Sequence, residues 1–229
     1  NNKEFDQYLK RFGYKFINEN KEYAGYTILK NKNIALVMDV GSSPVKKFSK
    51  DYQSGALSFE IISKDKKLIS NCGYFTDKKS KFNKFSKSSA LQNTVIIEDH
   101  SSCDFIKNEK SEYIIKKDLK VFRKNIVFED NYWNISASHD GYYKKFNLIH
   151  EREIEFYPGQ EKFIGFDKLL RKKIKKNIKF DIRFHLNPNI KVMKTQDNKS
   201  ILIELEDEGW RFSCDNFDIN IDNGLYFGN

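Results

Sequence analysis

Asp51-Tyr52-Gln53-Ser54-Gly55-Ala56-Leu57-Ser58-Phe59-Glu60-Ile61 decides the fold: its second half has a period of two, with Leu57, Phe59 and Ile61 on one side and Ser58 and Glu60 on the other. That alternation predicts a strand with one face in a core. A polar turn at Lys64-Asp65-Lys66-Lys67 leads to the next strand at Leu68. Upstream, Tyr26-Thr27-Ile28-Leu29 and Ile34-Ala35-Leu36-Val37-Met38-Asp39 flank Lys30-Asn31-Lys32-Asn33, which reads as a hairpin.

Downstream the pattern repeats. Strands are predicted at Thr94 to Glu98, Lys120 to Phe128, Tyr132 to Ser138, Phe146 to Tyr157, Lys162 to Lys168, Lys179 to Leu186, Ser200 to Glu206, Trp210 to Cys214 and Phe217 to Ile221. Many strands separated by turns imply an all-β sandwich or barrel. Residues 1–22 are polar, with Phe5, Tyr8, Leu9 and Phe12 at helical spacing, and are expected as a linker or short helix from a preceding domain. Residues 23–229 are expected as one β-domain.

The 229 residues include 39% hydrophobic side chains, enough for a sizeable core. No apolar run reaches the length of a membrane span or signal-peptide core, and the first residue is Asn1, so a fragment of a longer chain is expected. Cys72, Cys103 and Cys214 are odd in number and lack metal spacing, so they read as buried free thiols. They leave the compartment, bacterial periplasm or cytoplasm, open. The net charge of +9 favours an anionic partner, but it is spread over a lysine-rich chain and reads first as a solvated basic surface. Aromatic and basic residues do not interleave, and no phosphate-cradling glycine loop or nucleophile elbow occurs, so nucleic acid is not an expected partner. The loop Thr76 to Ser89 is long enough to be functional, whereas the basic run Leu170 to Lys179 reads as a hairpin tip.

Chemistry concentrates at the histidines. His100 lies in a turn and is expected to be exposed. His139 sits in Ser138-His139-Asp140-Gly141-Tyr142, where imidazole, carboxylate and phenol crowd around a glycine. In Leu148-Ile149-His150-Glu151-Arg152-Glu153 the period of two places His150 and Arg152 on one face, where the guanidinium fork suits a carboxylate. Asp181, Arg183 and His185 share another face. Spacing alone also allows these faces to be salt-bridged, hydrogen-bonded surfaces of a sandwich.

The ordered series Met38-Asp39-Val40-Gly41, Gly55-Ala56-Leu57-Ser58-Phe59-Glu60, Asn71-Cys72-Gly73, Gln92-Asn93-Thr94, Ser138-His139-Asp140-Gly141-Tyr142, His150-Glu151-Arg152 and Ile182-Arg183-Phe184-His185-Leu186 resembles the C-terminal β-domain of heparinase II/III-like proteins. The resemblance implies an antiparallel super-sandwich preceded by an α/α-toroid domain. It further implies β-elimination on a uronate-containing acidic polysaccharide, with this segment supplying one wall of the cleft. On that reading His139 and Tyr142 are the expected acid-base residues, and His150, Arg152, Arg183 and His185 bind substrate. Where many relatives read His-x-His-x-Asp this chain has Asp51, Gln53 and Gly55; Asn71 stands for an Asp and Gln92 for a His. Amides are poor zinc ligands, so no metal or other cofactor is expected, and Gln53, Asn71 and Gln92 are expected to meet and bond one another. The alternative is a non-catalytic glycan-binding or structural module that has lost the chemistry.

Overall fold

The computed structural model describes residues 7–8, 11–12, 22–171, 177–188 and 190–228. In chain order the strands are β1 (Glu22–Tyr23), β2 (Tyr26–Lys30), β3 (Ile34–Asp39), β4 (Phe59–Ser63), β5 (Lys66–Ile69), β6 (Val95–Ile97), β7 (Phe105–Lys107), β8 (Tyr113–Ile115), β9 (Val121–Phe128), β10 (Trp133–His139), β11 (Leu148–Tyr157), β12 (Lys162–Arg171), β13 (Phe180–Ile182), β14 (Lys191–Lys194), β15 (Ser200–Leu205) and β16 (Glu208–Ser213). Two short helices, α1 (Lys81–Ser86) and α2 (Tyr143–Phe146), interrupt them.

A meander β1-β2-β3-β4-β5 forms one antiparallel sheet and β12-β11-β10-β9 another; β14-β15-β16, β13-β6 and β7-β8 are smaller. Alternation decides which face is buried. In β3, Ile34, Leu36 and Met38 point inward, and in β11 so do Leu148, His150, Arg152, Ile154 and Phe156. The main core joins the two large sheets to β15 through Leu29, Leu36, Met38, Trp133, Ile135, Phe156 and Ile203. A second apolar cluster gathers Val95, Ile97, Tyr142 and Leu148. This is an all-β sandwich of antiparallel sheets.

Several boundaries differ from the sequence reading, each for a local reason. Leu57 is buried but has φ 60°, left-handed, so the strand begins at Phe59. Lys179 to Leu186 shortens to β13 because the chain then departs to bridge Leu186 with Ile69. Phe217 to Ile221 forms no strand; Ile219 N–H donates to Asn198 O at 2.9 Å, but no ladder develops around it. Strands β7, β8 and β14 were not anticipated, being short and weakly alternating. Nor was α1, whose start is capped by Ser80 Oγ accepting from Phe82 N–H at 3.2 Å. Of the expected N-terminal helix, residues 7, 8 and 11 are helical, and its other positions lie outside the described residues, as do residues 172–176 of the basic run. Cys72 and Cys103 are buried free thiols, and Cys214 is a partly exposed one. No described helix is long and apolar enough to cross a membrane.

Candidate functional site

Two polar regions collect the residues singled out by the sequence. The first is interior. Register sets His139 on β10 opposite His150 on β11, and Arg152 opposite Asp167 on β12. His150 Nε2 lies 2.6 Å from Asp167 Oδ1, and His139 Nε2 lies 3.0 Å from His150 Nδ1. Gly141 N–H donates to His139 Nδ1 at 3.1 Å. The donors therefore assign themselves: Asp167 accepts from His150 Nε2–H, His150 Nδ1 accepts from His139 Nε2–H, and both imidazoles are neutral with no nitrogen left over.

Arg152 completes the region. Its Nε and one terminal nitrogen fork onto Asp167 at 2.8 and 3.0 Å, and the other terminal nitrogen donates to Leu57 O and Asn93 O at 2.9 and 2.5 Å. Its guanidinium lies over the Phe59 ring. Burial works to raise the Asp167 pKa, but the Arg152 charge and the His150 bond outweigh it and hold the carboxyl well below its usual range. Burial depresses both histidines; the neighbouring His150 and Arg152 add to this at His139, while Asp167 opposes it at His150. Tyr142 donates its hydroxyl to Val95 O at 2.6 Å, and burial raises its pKa.

His139, Tyr142, His150 and Arg152 are each at most 1% exposed. This corrects the expectation that they line an open cleft: the alternation that aligned His150 with Arg152 was right, and the face they share looks into the core. Arg183 is exposed, 3.9 Å from Asp181, and His185 is half-buried. His100 is partly exposed, with its ring edge-on to Phe146.

The second region surrounds the loop from Lys50 to Gly55. Gln53 Nε2 donates to Gly73 O and Ser86 O, both at 3.0 Å. Asn71 Oδ1 accepts from Asn93 N–H at 2.7 Å, and Asn71 Nδ2 donates to Ser58 Oγ at 3.4 Å. Gln53, Asn71 and Gln92 thus do not bond one another, contrary to expectation, because backbone groups nearer to Gln53 and Asn71 engage those side chains. The donor set does not fit a metal: Gln53 spends its amide on carbonyls, and among the described residues no group of three His, Cys, Asp or Glu side chains is placed to hold one.

Three features of this loop were missed in the sequence. Lys87, fully buried, donates to Lys50 O and, at 3.3 Å, to Tyr52 O, and its ammonium sits over the Tyr74 ring. Burial brings its pKa down to about 8 against the pull of Asp51. Asp39, held by Gly41 N–H at 3.0 Å, has its pKa raised by burial to about 7. Gly55 is buried and closely packed: a Cβ there would meet Gln92 Oε1 at 3.1 Å, Ser58 Oγ at 3.2 Å and Asp39 Oδ2 at 3.6 Å. Tyr26, exposed, pairs with Asp39 across β2 and β3. The Met38-Asp39-Val40-Gly41 and Gly55-Ala56-Leu57-Ser58-Phe59-Glu60 motifs signalled Asp39 and Gly55, and nothing signalled Lys87.

Comparison with known proteins bears on both regions. A family model described as heparinase II/III-like, C-terminal, matches residues 19–229. FtsZ-localized protein C of Caulobacter vibrioides is 25% identical over 218 residues, covering 90% of this chain and 37% of that protein. Among solved structures, heparan sulfate lyase HepC from Pedobacter heparinus superposes with a TM-score of 0.62 at 13% identity, over 90% of this chain and 32% of the other. A heparinase III gene product gives a TM-score of 0.65 at 14% identity, over 93% of this chain and 32% of its own. The chain thus spans about a third of the length of these proteins.

Proposed function

The chain belongs to the heparinase II/III-like, C-terminal family, and on that premise we propose that this lyase-like β-domain is a non-catalytic module that holds an acidic glycan. The observation carrying the reading is the sealed interior. An acid-base residue must reach the proton it transfers, and His139, His150 and Tyr142 have every polar ring atom committed inside the core. The loop that carries imidazoles in relatives here carries Asp51 and Gln53, and Lys87 and Gln53 fasten it to neighbouring backbone.

The face of β2 and β3 supports glycan binding: Tyr26 offers an exposed ring there, the partly exposed Asp39 opposite it offers an acceptor for a sugar hydroxyl, and the net charge of +9 favours an acidic chain. The test is the ultraviolet absorbance of unsaturated uronates with the intact protein and a panel of acidic polysaccharides, together with retention on the same glycans immobilised. The expected result is flat absorbance with retention that Tyr26→Ala weakens in a folded protein. Rising absorbance that His139→Ala abolishes would restore the catalytic reading, and retention unchanged in Tyr26→Ala would remove this face from glycan binding.

A second reading rests on identity. The chain is 25% identical to FtsZ-localized protein C but 13–14% identical to the heparinases. A localisation role without glycan chemistry follows from that likeness, and imaging a fluorescent fusion of the intact protein in its own cells tests it. A focus at the division plane would support this role, and diffuse signal would contradict it.

A further inference from the structure

The sheet β12-β11-β10-β9 has two edges, and the chain protects only one of them. At the β9 edge the ladder with β10 is broken by a bulge between Ser136 and Ser138, Arg123 is left-handed at φ 55°, and Lys124 reaches Glu22 of β1 at 2.8 Å. Val121 N–H there donates to Ser42 Oγ at 2.9 Å. Bulges, charges and coverage of this kind stop a sheet from adding strands.

The β12 edge carries none of these devices among the described residues. Its ladder with β11 runs from Leu148↔Arg171 to Tyr157↔Lys162 without a shift, and the strand holds no proline. Among the described residues no backbone group of Lys162 to Leu170 bonds to anything but β11, so the groups that point away from β11 are open to another strand. Apolar side chains flank this row: Phe166 is 45% exposed and Leu170 37%. On the opposite face a Cβ at Gly165 would meet nothing within 4 Å. Lys168 does not guard the edge, because it leans back over its own sheet to Glu151 at 3.3 Å and Glu153 at 3.8 Å.

We propose that β12 pairs antiparallel with β12 of a second copy, joining two four-stranded sheets into one continuous sheet about a two-fold axis. Such a pairing keeps every side chain on its own face only where opposed residues are an even number apart. With Phe166 set opposite the partner's Phe166, Ile164 faces the partner's Lys168, Asp167 faces the partner's Gly165 and Lys162 faces the partner's Leu170, so no like charges meet. Centring the pair on Gly165 instead would oppose Lys162 to Lys168, centring it on Asp167 would set two carboxylates together, and centring it on Ile164 would oppose Glu161 to Asp167. Like charges directly opposite are unfavourable across a strand pair. In the Phe166 register the missing side chain of Gly165 also leaves the bonds of Asp167 to His150 and Arg152 undisturbed. A self-pairing free of like-charge contact, with an exposed ring on the axis, favours a second copy over an unrelated strand.

The test is sedimentation equilibrium of the intact protein over the widest concentration range its solubility allows, with circular dichroism establishing that each variant is folded. The expected result is a reversible monomer–dimer equilibrium. Phe166→Lys, which sets two positive charges against each other on the axis at a site already exposed, should raise the dissociation constant by about tenfold or more. Phe48→Lys makes the same change at a position 69% exposed and outside this sheet, and should leave the constant unchanged. In a Cys214→Ser background a short bismaleimide should join Phe166→Cys to itself. It should not join Lys162→Cys, because the register holds the two copies of that position about 26 Å apart. A monomer at every concentration, a dimer that Phe166→Lys leaves intact, equal losses in the two lysine variants, no cross-link at Phe166→Cys, or equal cross-linking at both positions would overturn the proposal.

Discussion

The interior network of β10, β11 and β12 and the cavity of about 480 Å³ that Lys144, Lys145 and Phe146 help to line beside α2 are both built of charged and ring-bearing side chains, yet they have opposite logic. In the network every donor meets an acceptor, from Gly141 through His139 and His150 to Asp167, with Arg152 spending its guanidinium on Asp167 and two carbonyls. In the cavity, lysines face open space. Satisfied and buried polar groups specify a fold, whereas lysines at an open rim stay in water and specify little. Residue type alone does not separate the two; hydrogen-bond accounting does.

The largest expected effect of breaking this contrast is at Asp167. Asp167→Ala leaves the Arg152 charge buried without its carboxylate and should cost about 3–5 kcal/mol in urea unfolding. Lys144→Ala in the cavity should move stability by no more than about 0.5 kcal/mol. A loss at Asp167 as small as that at Lys144 would erase the distinction.

Next comes Gly141→Ala. A Cβ there would approach Ser102 O at 2.6 Å and His139 Nδ1 at 3.0 Å, so overpacking should cost about 1–3 kcal/mol. A variant of wild-type stability would show the network looser than described. Lys87→Met should follow, at about 1–3 kcal/mol, because Lys50 O and Tyr52 O lose the same donor. Protease cleavage near Lys50 would report whether the loop has been released.

The effect of pH on stability is spread over a range rather than set by one substitution, and its size grows with acidification. Burial holds the folded pKa of His139 and of His150 below the ordinary value, so the unfolded chain takes up protons first as pH falls. Stability from these two groups is complete above about pH 6.5 and declines below it, by up to about 1.4 kcal/mol per pH unit for each histidine. Asp167, with a lowered pKa, adds a further decline below about pH 4. Urea midpoints from pH 7 to 5 test the histidine part; His139→Gln should flatten the slope, and an unchanged slope would assign it to other groups.

The fold was legible because alternation in the segments of β3, β4 and β11 is strong and the turns between strands are marked by polar residues. The pairing of His150 with Arg152 on one face was legible for the same reason. Which face looked inward was not, because that depends on the neighbours of β11, and Asp167 becomes a partner only through the register of β11 with β12. Lys87 was illegible as a staple, since nothing local separates it from the other lysines of its loop. The departures at Gln53, Asn71 and Gln92 were visible, but the partners of Gln53 and Asn71 are mostly backbone atoms supplied by distant segments, and Gln92 Nε2 is buried without a hydrogen-bond partner.

The most direct test of the sealed interior is nitrogen-15 NMR of the imidazoles of His139 and His150 across a pH titration of the folded protein. The structure requires both rings to be neutral Nε2–H tautomers that stay so until the protein unfolds. A ring that titrates near pH 6.5 while the protein remains folded, or one that carries its proton on Nδ1, would contradict the account and return these histidines to solvent and to chemistry.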